Sequence, residues 1–353
     1  MQNEFKNKKI LVTGGTGSIG SELVKKLLEL KPRSLRVLSR DESKQHDLML
    51  ELRKKSEKVR FLIGDIRDYD RVNMAMEDVD IVFHAAAMKH VLFCENDPFE
   101  AVKTNVIGTQ NIINVALANN VSKVIGISTD KATDPVSVMG CTKLLAEKIM
   151  LASHNYQGKK QTKFCFVRFG NVLNTRGSVL PLFYKQIMRG GPVTVTDTKM
   201  ERFFMSKDEA VGLVLKAAGM MKEREIFIFK MPILKIIDLA KAMIELYAPH
   251  FGFDPKKVKI EVVGKKSGER IHEKLLTKDE SMFALETKDM FIIVPVIGRF
   301  QNGHNIDKIY PGAKRSRVMD YSTEGKRVLA LSQIKTVLNK EEQRFLTTFH
   351  HFN

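Results

Sequence analysis

The sequence predicts an α/β fold, a doubly wound parallel sheet joined to a smaller C-terminal α/β domain. Three observations carry that expectation. Short β-branched runs alternate with longer amphipathic segments through the first half of the chain. A glycine-rich turn follows the first of those runs without a gap. The 353 residues are 43% hydrophobic and 28% charged, with 22 Gly and 10 Pro, which excludes a disordered, collagenous or low-complexity chain.

Taken in order, Lys9–Thr13, Leu35–Ser39, Val59–Ile63, Asp80–His84, Lys123–Ser128 and Phe164–Phe169 read as buried strands. Between them, Ser18–Leu30, Ser43–Lys55, Asp68–Met76, Glu100–Asn119 and Val138–His154 place apolar residues on one helical face. Strands separated by crossover helices pair in parallel and are covered on both sides. Later the alternation loosens: Val193–Thr196, Ile226–Phe229 and Lys259–Val262 lie among the helical segments Leu180–Arg189, Lys207–Met221 and Leu234–Tyr247. The expected division is a first domain over 1–175, to which some later segments return, and a smaller domain over 176–297. A polar, basic tail over 298–353 carries one late helix, Ser332–Asn339. That is more chain than the usual domain of about 100–200 residues.

The formal charge of +17 invites a nucleic-acid reading, but its distribution opposes one. Residues 1–60 hold 15 Lys/Arg against 8 Asp/Glu, and residues 298–353 hold 10 against 5. Neither end interleaves its charges with aromatics on a strand, and no zinc-finger, basic-zipper or RNA-recognition signature occurs. A solvated basic surface that favours anionic small ligands is expected instead, with no nucleic-acid partner. Cys94, Cys141 and Cys165 are odd in number and far apart, with no metal-ligand spacing, so neither a disulfide framework nor a metal site is expected. A reducing cytoplasm is the expected compartment. Met1 to Lys9 is too short and charged for a signal h-region, and no run of about 18 apolar residues exists to span a membrane.

The turn Thr13-Gly14-Gly15-Thr16-Gly17-Ser18-Ile19-Gly20 spaces its glycines at 14, 17 and 20. Placed between strand and helix at the start of an alternating chain, it predicts a Rossmann-type dinucleotide site. Glycine permits the tight turn and the close approach of backbone to a pyrophosphate at the helix N-terminus. Gly14, Thr16, Gly17, Ser18, Ile19 and Gly20 are therefore candidate cofactor residues. The end of the second strand reads the adenosine ribose, and here it is Ser39-Arg40-Asp41 followed by Lys44. Arg40 and Lys44 point to NADP over NAD, while Asp41 points the other way.

Further strings identify a family. Gly64-Asp65-Ile66-Arg67-Asp68, His84-Ala85-Ala86-Ala87-Met88-Lys89-His90-Val91, Ser128-Thr129-Asp130-Lys131-Ala132 and Met139-Gly140-Cys141-Thr142-Lys143 resemble the extended short-chain dehydrogenase/reductases. With Arg168-Phe169-Gly170-Asn171-Val172, Arg176-Gly177-Ser178-Val179 and Gly268-Glu269-Arg270-Ile271-His272-Glu273, the chain resembles the UDP-N-acetylglucosamine 4,6-dehydratases of surface-polysaccharide and flagellin-sugar biosynthesis, from about residue 8 to about 295.

The resemblance implies roles. Asp65 and Ile66 flank the adenine. Ala85, Ala86, Ala87, Lys89, Asn105 and Ser128 lie on the nicotinamide side, and Lys143 holds the nicotinamide ribose. Asn171, Arg176, Ser178, Val179 and Arg202 grip the UDP, Arg270 and Glu273 close over it, and Lys89 and His90 reach the substrate. Two arginines suit a diphosphate, because a planar fork matches phosphate oxygens. The family assembles as dimers or hexamers, so a homo-oligomer is expected.

One position departs from the superfamily. Its general base is a Tyr four residues before the Lys, and Met139 stands there. Methionine cannot take a proton, although some 4,6-dehydratases of this type also carry it. Proton transfer then falls to Thr129, Asp130 and Lys131 on the turn leaving the fifth strand, with Asp130 as acid and Lys131 as base. Removing a hydride from C4 makes a ketone that acidifies H5; a base takes H5, and an acid protonates the departing 6-hydroxyl. The implied product is a 4-keto-6-deoxy sugar, with inversion or retention at C5. A 5,6-ene product, a 4-epimerase and a dinucleotide-sensing regulator are the alternatives.

Overall fold

The computed structural model describes residues 2–294 and 309–349. The first six strands form as the periodicity predicts, within a residue at either end: β1 Lys9–Thr13, β2 Ser34–Ser39, β3 Val59–Ile63, β4 Ile81–His84, β5 Lys123–Ile127 and β6 Lys163–Arg168. All six run parallel, in the order β3-β2-β1-β4-β5-β6. The order reverses between β1 and β4, and a sheet of this kind binds ligands outside the strand carboxyl ends at that point. Ile10, Leu11 and Val12 are fully buried, as a strand covered on both faces requires.

The sheet continues past β6. Ile226–Phe229 pairs parallel to β6, Met290–Ile293 pairs antiparallel to Ile226–Phe229, and Ala284–Glu286 and Lys314–Arg315 complete ten strands. Ile226–Phe229, which lies among the smaller domain's segments in the sequence, is one of the later segments that return to the first unit. Ile-Phe-Ile-Phe is apolar on both faces and buried, the pattern of an interior strand covered on both sides.

Two units result. The first comprises 1–169, 208–230 and 275–321; the second comprises 170–207, 231–274 and 322–353. Described segments beyond residue 175 therefore belong to both units, because some of their strands complete the first unit's sheet. The second unit packs the helices Val179–Met188 and Ile236–Tyr247 around a core that includes Phe183, Ile187, Leu239 and Met243. The late helix runs Leu331–Phe349, longer than the expected Ser332–Asn339, since no Gly or Pro follows to stop it. Its Ile334 and Leu338 join the second unit's core, so this part of the presumed tail is structural.

The expected helix Glu100–Asn119 is also subdivided. Pro98–Ala101 leads into a wider, π-type stretch over Val102–Ile107 before Gly108–Ala118 resumes the α form.

Candidate active site

In the first unit, the glycine turn leaves β1 as the sequence requires, and its glycines have separate reasons. Gly14 lies at φ +66°, and a Cβ there would meet the Ala86 backbone nitrogen at 2.6 Å. A Cβ on Gly20 would collide with Gly14 backbone, so Gly20 seats the helix Ser18–Glu29 against the turn. Gly17 is different. It is exposed, and a Cβ would meet only the Gly14 carbonyl oxygen, at 3.2 Å. Packing explains the first and third glycines; open space above the second fits a pyrophosphate lying against the backbone. Ser18 and Ile19 open the helix, half-buried.

Around this turn the Thr16 and Ser39 hydroxyls share a buried 2.7 Å hydrogen bond, tying the turn to the end of β2. His84 at the end of β4 lies between Thr13 Oγ1, at 2.8 Å from Nδ1, and Thr109 Oγ1, at 3.2 Å from Nε2. Burial, aided by the Lys143 charge, pushes its pKa down to about 3, so the ring is neutral at physiological pH. The Ala85 amide donates to the Thr13 carbonyl at 3.1 Å. Ala85 and Ala86 are half-buried, while Ala87, Lys89 and His90 are exposed. Ile66 is buried against Gly108. Asp65 accepts from the Arg67 backbone amide and from its guanidinium at 2.7–2.9 Å, with Arg40 at 3.6 Å. Burial opposes ionisation of Asp65, but these donors outweigh it and hold its pKa below the usual carboxylate range.

Two cofactor expectations change. Asp41 caps the helix Glu42–Leu52 by accepting from the Lys44 amide at 3.0 Å, and its other oxygen pairs with the Lys44 ammonium. Arg40, with a largely exposed side chain, is the remaining candidate for a 2′-phosphate. Asn105 is corrected outright. It is 1% exposed, and its amide clamps Met88, accepting from the backbone N–H at 2.8 Å and donating to the carbonyl at 3.1 Å. It donates to Thr142 Oγ1 as well, at 3.0 Å, so it fixes the loop after β4 rather than facing a cofactor.

The turn after β5 carries the acid–base candidates. Thr129 Oγ1 donates to Asp130 Oδ1 at 2.8 Å, and the Lys131 ammonium reaches the same oxygen at 3.0 Å. Asp130 is fully buried, and its Oδ2 has no hydrogen-bond partner. The helix Val138–Ala152 packs close against this turn, because a Cβ on Gly140 would collide with the Lys131 carbonyl. Lys143 donates to the Ile127 carbonyl at 2.7 Å. Burial lowers its pKa to about 8, against the opposing pull of Glu147. Met139, carried among the catalytic candidates for its position, packs with Cys94 and Ala101 in an apolar cluster.

Sequence reasoning gave Glu147 and Arg168 no role. Ser128, expected at the cofactor, donates its hydroxyl to Glu147 Oε1. Glu147 pairs with Arg168 at 2.6 Å, and both side chains are fully buried. Arg168 also meets both Glu280 oxygens and the Leu275 carbonyl, each at 3.0 Å. The signal was available: Glu147 interrupts the buried helix face between Ala146 and Met150, and Arg168 ends the apolar strand Phe-Cys-Phe-Val.

In the second unit, Asn171 lies on the short strand Asn171–Val172 beside Glu201–Met205. Arg176 is exposed. Ser178 is the N-cap of Val179–Met188, yet its hydroxyl caps nothing and is buried without a hydrogen-bond partner. Val179 packs on the unit's core, and Arg270 is half-buried. Arg202 and Glu273, expected at the UDP, lie against each other. Arg202 is 7% exposed, donates to the Glu201 and Ile271 carbonyls at 2.7 and 3.1 Å, and lies 3.5 Å from Glu273, itself 2% exposed. These contacts brace the strand Glu201–Met205.

Comparison with known proteins agrees with the motifs. The family described as polysaccharide biosynthesis protein matches residues 10–295. A UDP-N-acetylglucosamine 4,6-dehydratase (inverting) of Campylobacter jejuni is 41% identical, over 90% of this chain and 91% of its own. A protein of Methanocaldococcus jannaschii named an uncharacterized membrane protein is 49% identical, over 96% and 98%. A Rickettsia canadensis protein named UDP-glucose 4-epimerase is 38% identical, over 95% and 96%. Among solved structures, Pen from Bacillus thuringiensis superposes with a TM-score of 0.87 at 42% identity, covering 95% of this chain and 98% of that one. Among the described residues of this chain, no helix is long and apolar enough to cross a membrane.

Proposed function

The chain belongs to the polysaccharide biosynthesis protein family, extended short-chain dehydrogenase/reductases with homologues named UDP-N-acetylglucosamine 4,6-dehydratase, and from that premise we propose that it is such a dehydratase, a hydro-lyase using NADP. One observation carries the reading: an Asp130–Lys131 pair at the carboxyl end of β5, with Asp130 Oδ2 unengaged, beside an apolar Met139 where an oxidoreductase of this type needs its tyrosine.

Bound NADP supplies reversible hydride transfer, which raises C4 to a ketone and later reduces C6. Against the acidified C5, Lys131 takes H5 as an amine. Asp130, as the carboxylic acid, gives its proton to O6, and water leaves. As the hydride reaches C6, C5 takes a proton back in place of H5; the proton that O4 loses on becoming a ketone balances the one given to O6, so the cycle takes up none. Thr129 steadies the Asp130 oxygen that also meets Lys131, and so keeps acid and base in register. Lys143, anchored to the Ile127 carbonyl, holds the nicotinamide ribose. Arg176 and the buried Ser178 hydroxyl at a helix N-terminus suit the UDP phosphates. Arg40 supports NADP over NAD. Three free cysteines suit the reducing cytoplasm.

The test is to incubate the purified chain with NADP and UDP-N-acetylglucosamine in deuterated water and follow the products by proton NMR. A 4-keto-6-deoxy sugar with solvent deuterium at C5 is the expected outcome. A 4-epimer that keeps its 6-hydroxyl would favour the activity named for the Rickettsia relative. Unchanged substrate would remove the dehydratase reading.

A further inference from the structure

The helix Val138–Ala152 touches the end of β5 and the turn beyond it at three places along one face. Gly140 packs against the Lys131 carbonyl, Lys143 donates to the Ile127 carbonyl, and Glu147 accepts from the Ser128 hydroxyl. The spacings of three and four residues are those of one helical stripe. Ile127 and Ser128 are the last two positions before Thr129, Asp130 and Lys131, so any shift there carries the acid–base pair with it.

Glu147 is itself held with unusual completeness. Arg168 Nε donates to its Oε1 at 3.2 Å and Nη2 to its Oε2 at 2.6 Å. The remaining guanidinium hydrogens go to Glu280 and Leu275, so all five donors of Arg168 are engaged. Glu280 is fixed in turn by a capping box with Thr277. A buried polar network satisfied to this degree defines one geometry, because any departure strands a buried group.

We infer that Glu147 is a positioning residue for the acid–base turn: through Ser128 it sets where Thr129, Asp130 and Lys131 leave the sheet, and Arg168 and Glu280 hold it there. The inference rests on the dehydratase reading for its catalytic consequence, though not for its structural one. A merely structural network would lose activity only as it loses stability; a positioning one separates the two.

Two variants make that separation. Ser128→Ala deletes only the hydroxyl and leaves the Glu147–Arg168 pair intact. Glu147→Gln keeps an oxygen for Ser128 but removes the charge facing Arg168. Measured on the full chain with UDP-N-acetylglucosamine, Ser128→Ala is expected to lower kcat and H5 exchange at least five-fold, with KM, NADP affinity and Tm almost unchanged. A misplaced reacting group can cost up to about 10²-fold, so the loss is within reach. Glu147→Gln is expected to show the reverse order, with the larger fall in Tm and the smaller fall in kcat. Wild-type kcat in Ser128→Ala, or a loss of kcat matched by a loss of Tm, would overturn the inference. Hydrogen–deuterium exchange of the Asp130 and Lys131 amides gives a readout that needs no turnover. Ser128→Ala should speed it in the substrate-free protein; unchanged exchange overturns the inference even if the dehydratase reading stands, and faster exchange upholds it even if that reading fails.

Discussion

Ser128 stands between two ion clusters, each built around a fully buried carboxylate. On one side, Glu147, Arg168 and Glu280 satisfy one another, down to the last guanidinium hydrogen. On the other, Asp130 gives one oxygen to Thr129 and Lys131 and leaves the second without a hydrogen-bond partner, although it is equally buried. A buried carboxylate oxygen left open costs free energy that a saturated cluster avoids. The fold tolerates that cost at the carboxyl end of β5, where this type of sheet receives its ligand. Buried charge alone does not tell the two clusters apart; the unengaged Asp130 oxygen does.

The largest expected effect tests the open cluster. Lys131→Ala should stop H5 exchange, and Asp130→Asn should retain some exchange while releasing no water, since O6 lacks its acid. A general acid or base contributes about 10²–10⁴-fold, so losses below ten-fold in dehydration would contradict these roles. Asp130→Asn should keep its Tm close to wild type, because the amide oxygen can still accept from Thr129 and Lys131.

Arg168→Met should do the opposite. It removes the cation between the fully buried Glu147 and the half-buried Glu280, and breaking a buried pair costs about 3–5 kcal/mol of stability. Urea denaturation should register that loss. A midpoint shift no larger than that of Asp130→Asn would erase the contrast between the clusters.

Much of this was legible beforehand, and the reason is locality. β1 to β6, the glycine turn and Asp130–Lys131 all follow from short strings whose meaning is set within a few residues. What stayed hidden depends on partners far away. Arg202 reads as a phosphate-binding arginine until Ile271 and Glu273, some 70 residues on, are brought to it. Ile226–Phe229 reads as a short strand in either unit until β6 pairs with it. Glu147 looks like an ordinary helix charge until Arg168 closes on it. Only the two apolar flanks, Ala146 and Met150, gave a local hint.

The same distinction separates two of the second unit's arginines, Arg176 and Arg202. Arg176→Ala, at an exposed position, should raise KM for UDP-N-acetylglucosamine about 10–100-fold with little change in kcat, the mark of lost uniform binding worth roughly 1.5–3 kcal/mol. Arg202→Ala leaves Glu273 buried beside a missing partner, so it should lower Tm first. If Arg202→Ala instead raised KM at unchanged Tm, its pairing with Glu273 would give way to substrate, and Arg202 would join Arg176 at the UDP.

The smallest expected effect concerns Lys143, which lies between the two clusters in character: anchored by one hydrogen bond to Ile127, yet drawn by Glu147. Burial lowers its pKa from 10.5 to about 8. Below pH 8 both folded and unfolded chains carry the proton, so the folded state bears the full cost of the buried charge. Between about 8 and 10.5 only the unfolded chain holds it, and stability gained from this group rises with pH; above that window the group contributes no further change. Catalysis should run the other way. If Lys143 must be charged to hold the ribose, kcat/KM falls about ten-fold per pH unit above 8, while the wild type gains Tm relative to a Lys143→Met reference over the same range. Lys143→Arg, charged throughout, should lose the alkaline limb. An activity profile that stayed flat to pH 10 would mean that the neutral amine suffices, and Lys143 would then be an anchor for β5 rather than a cation for the cofactor.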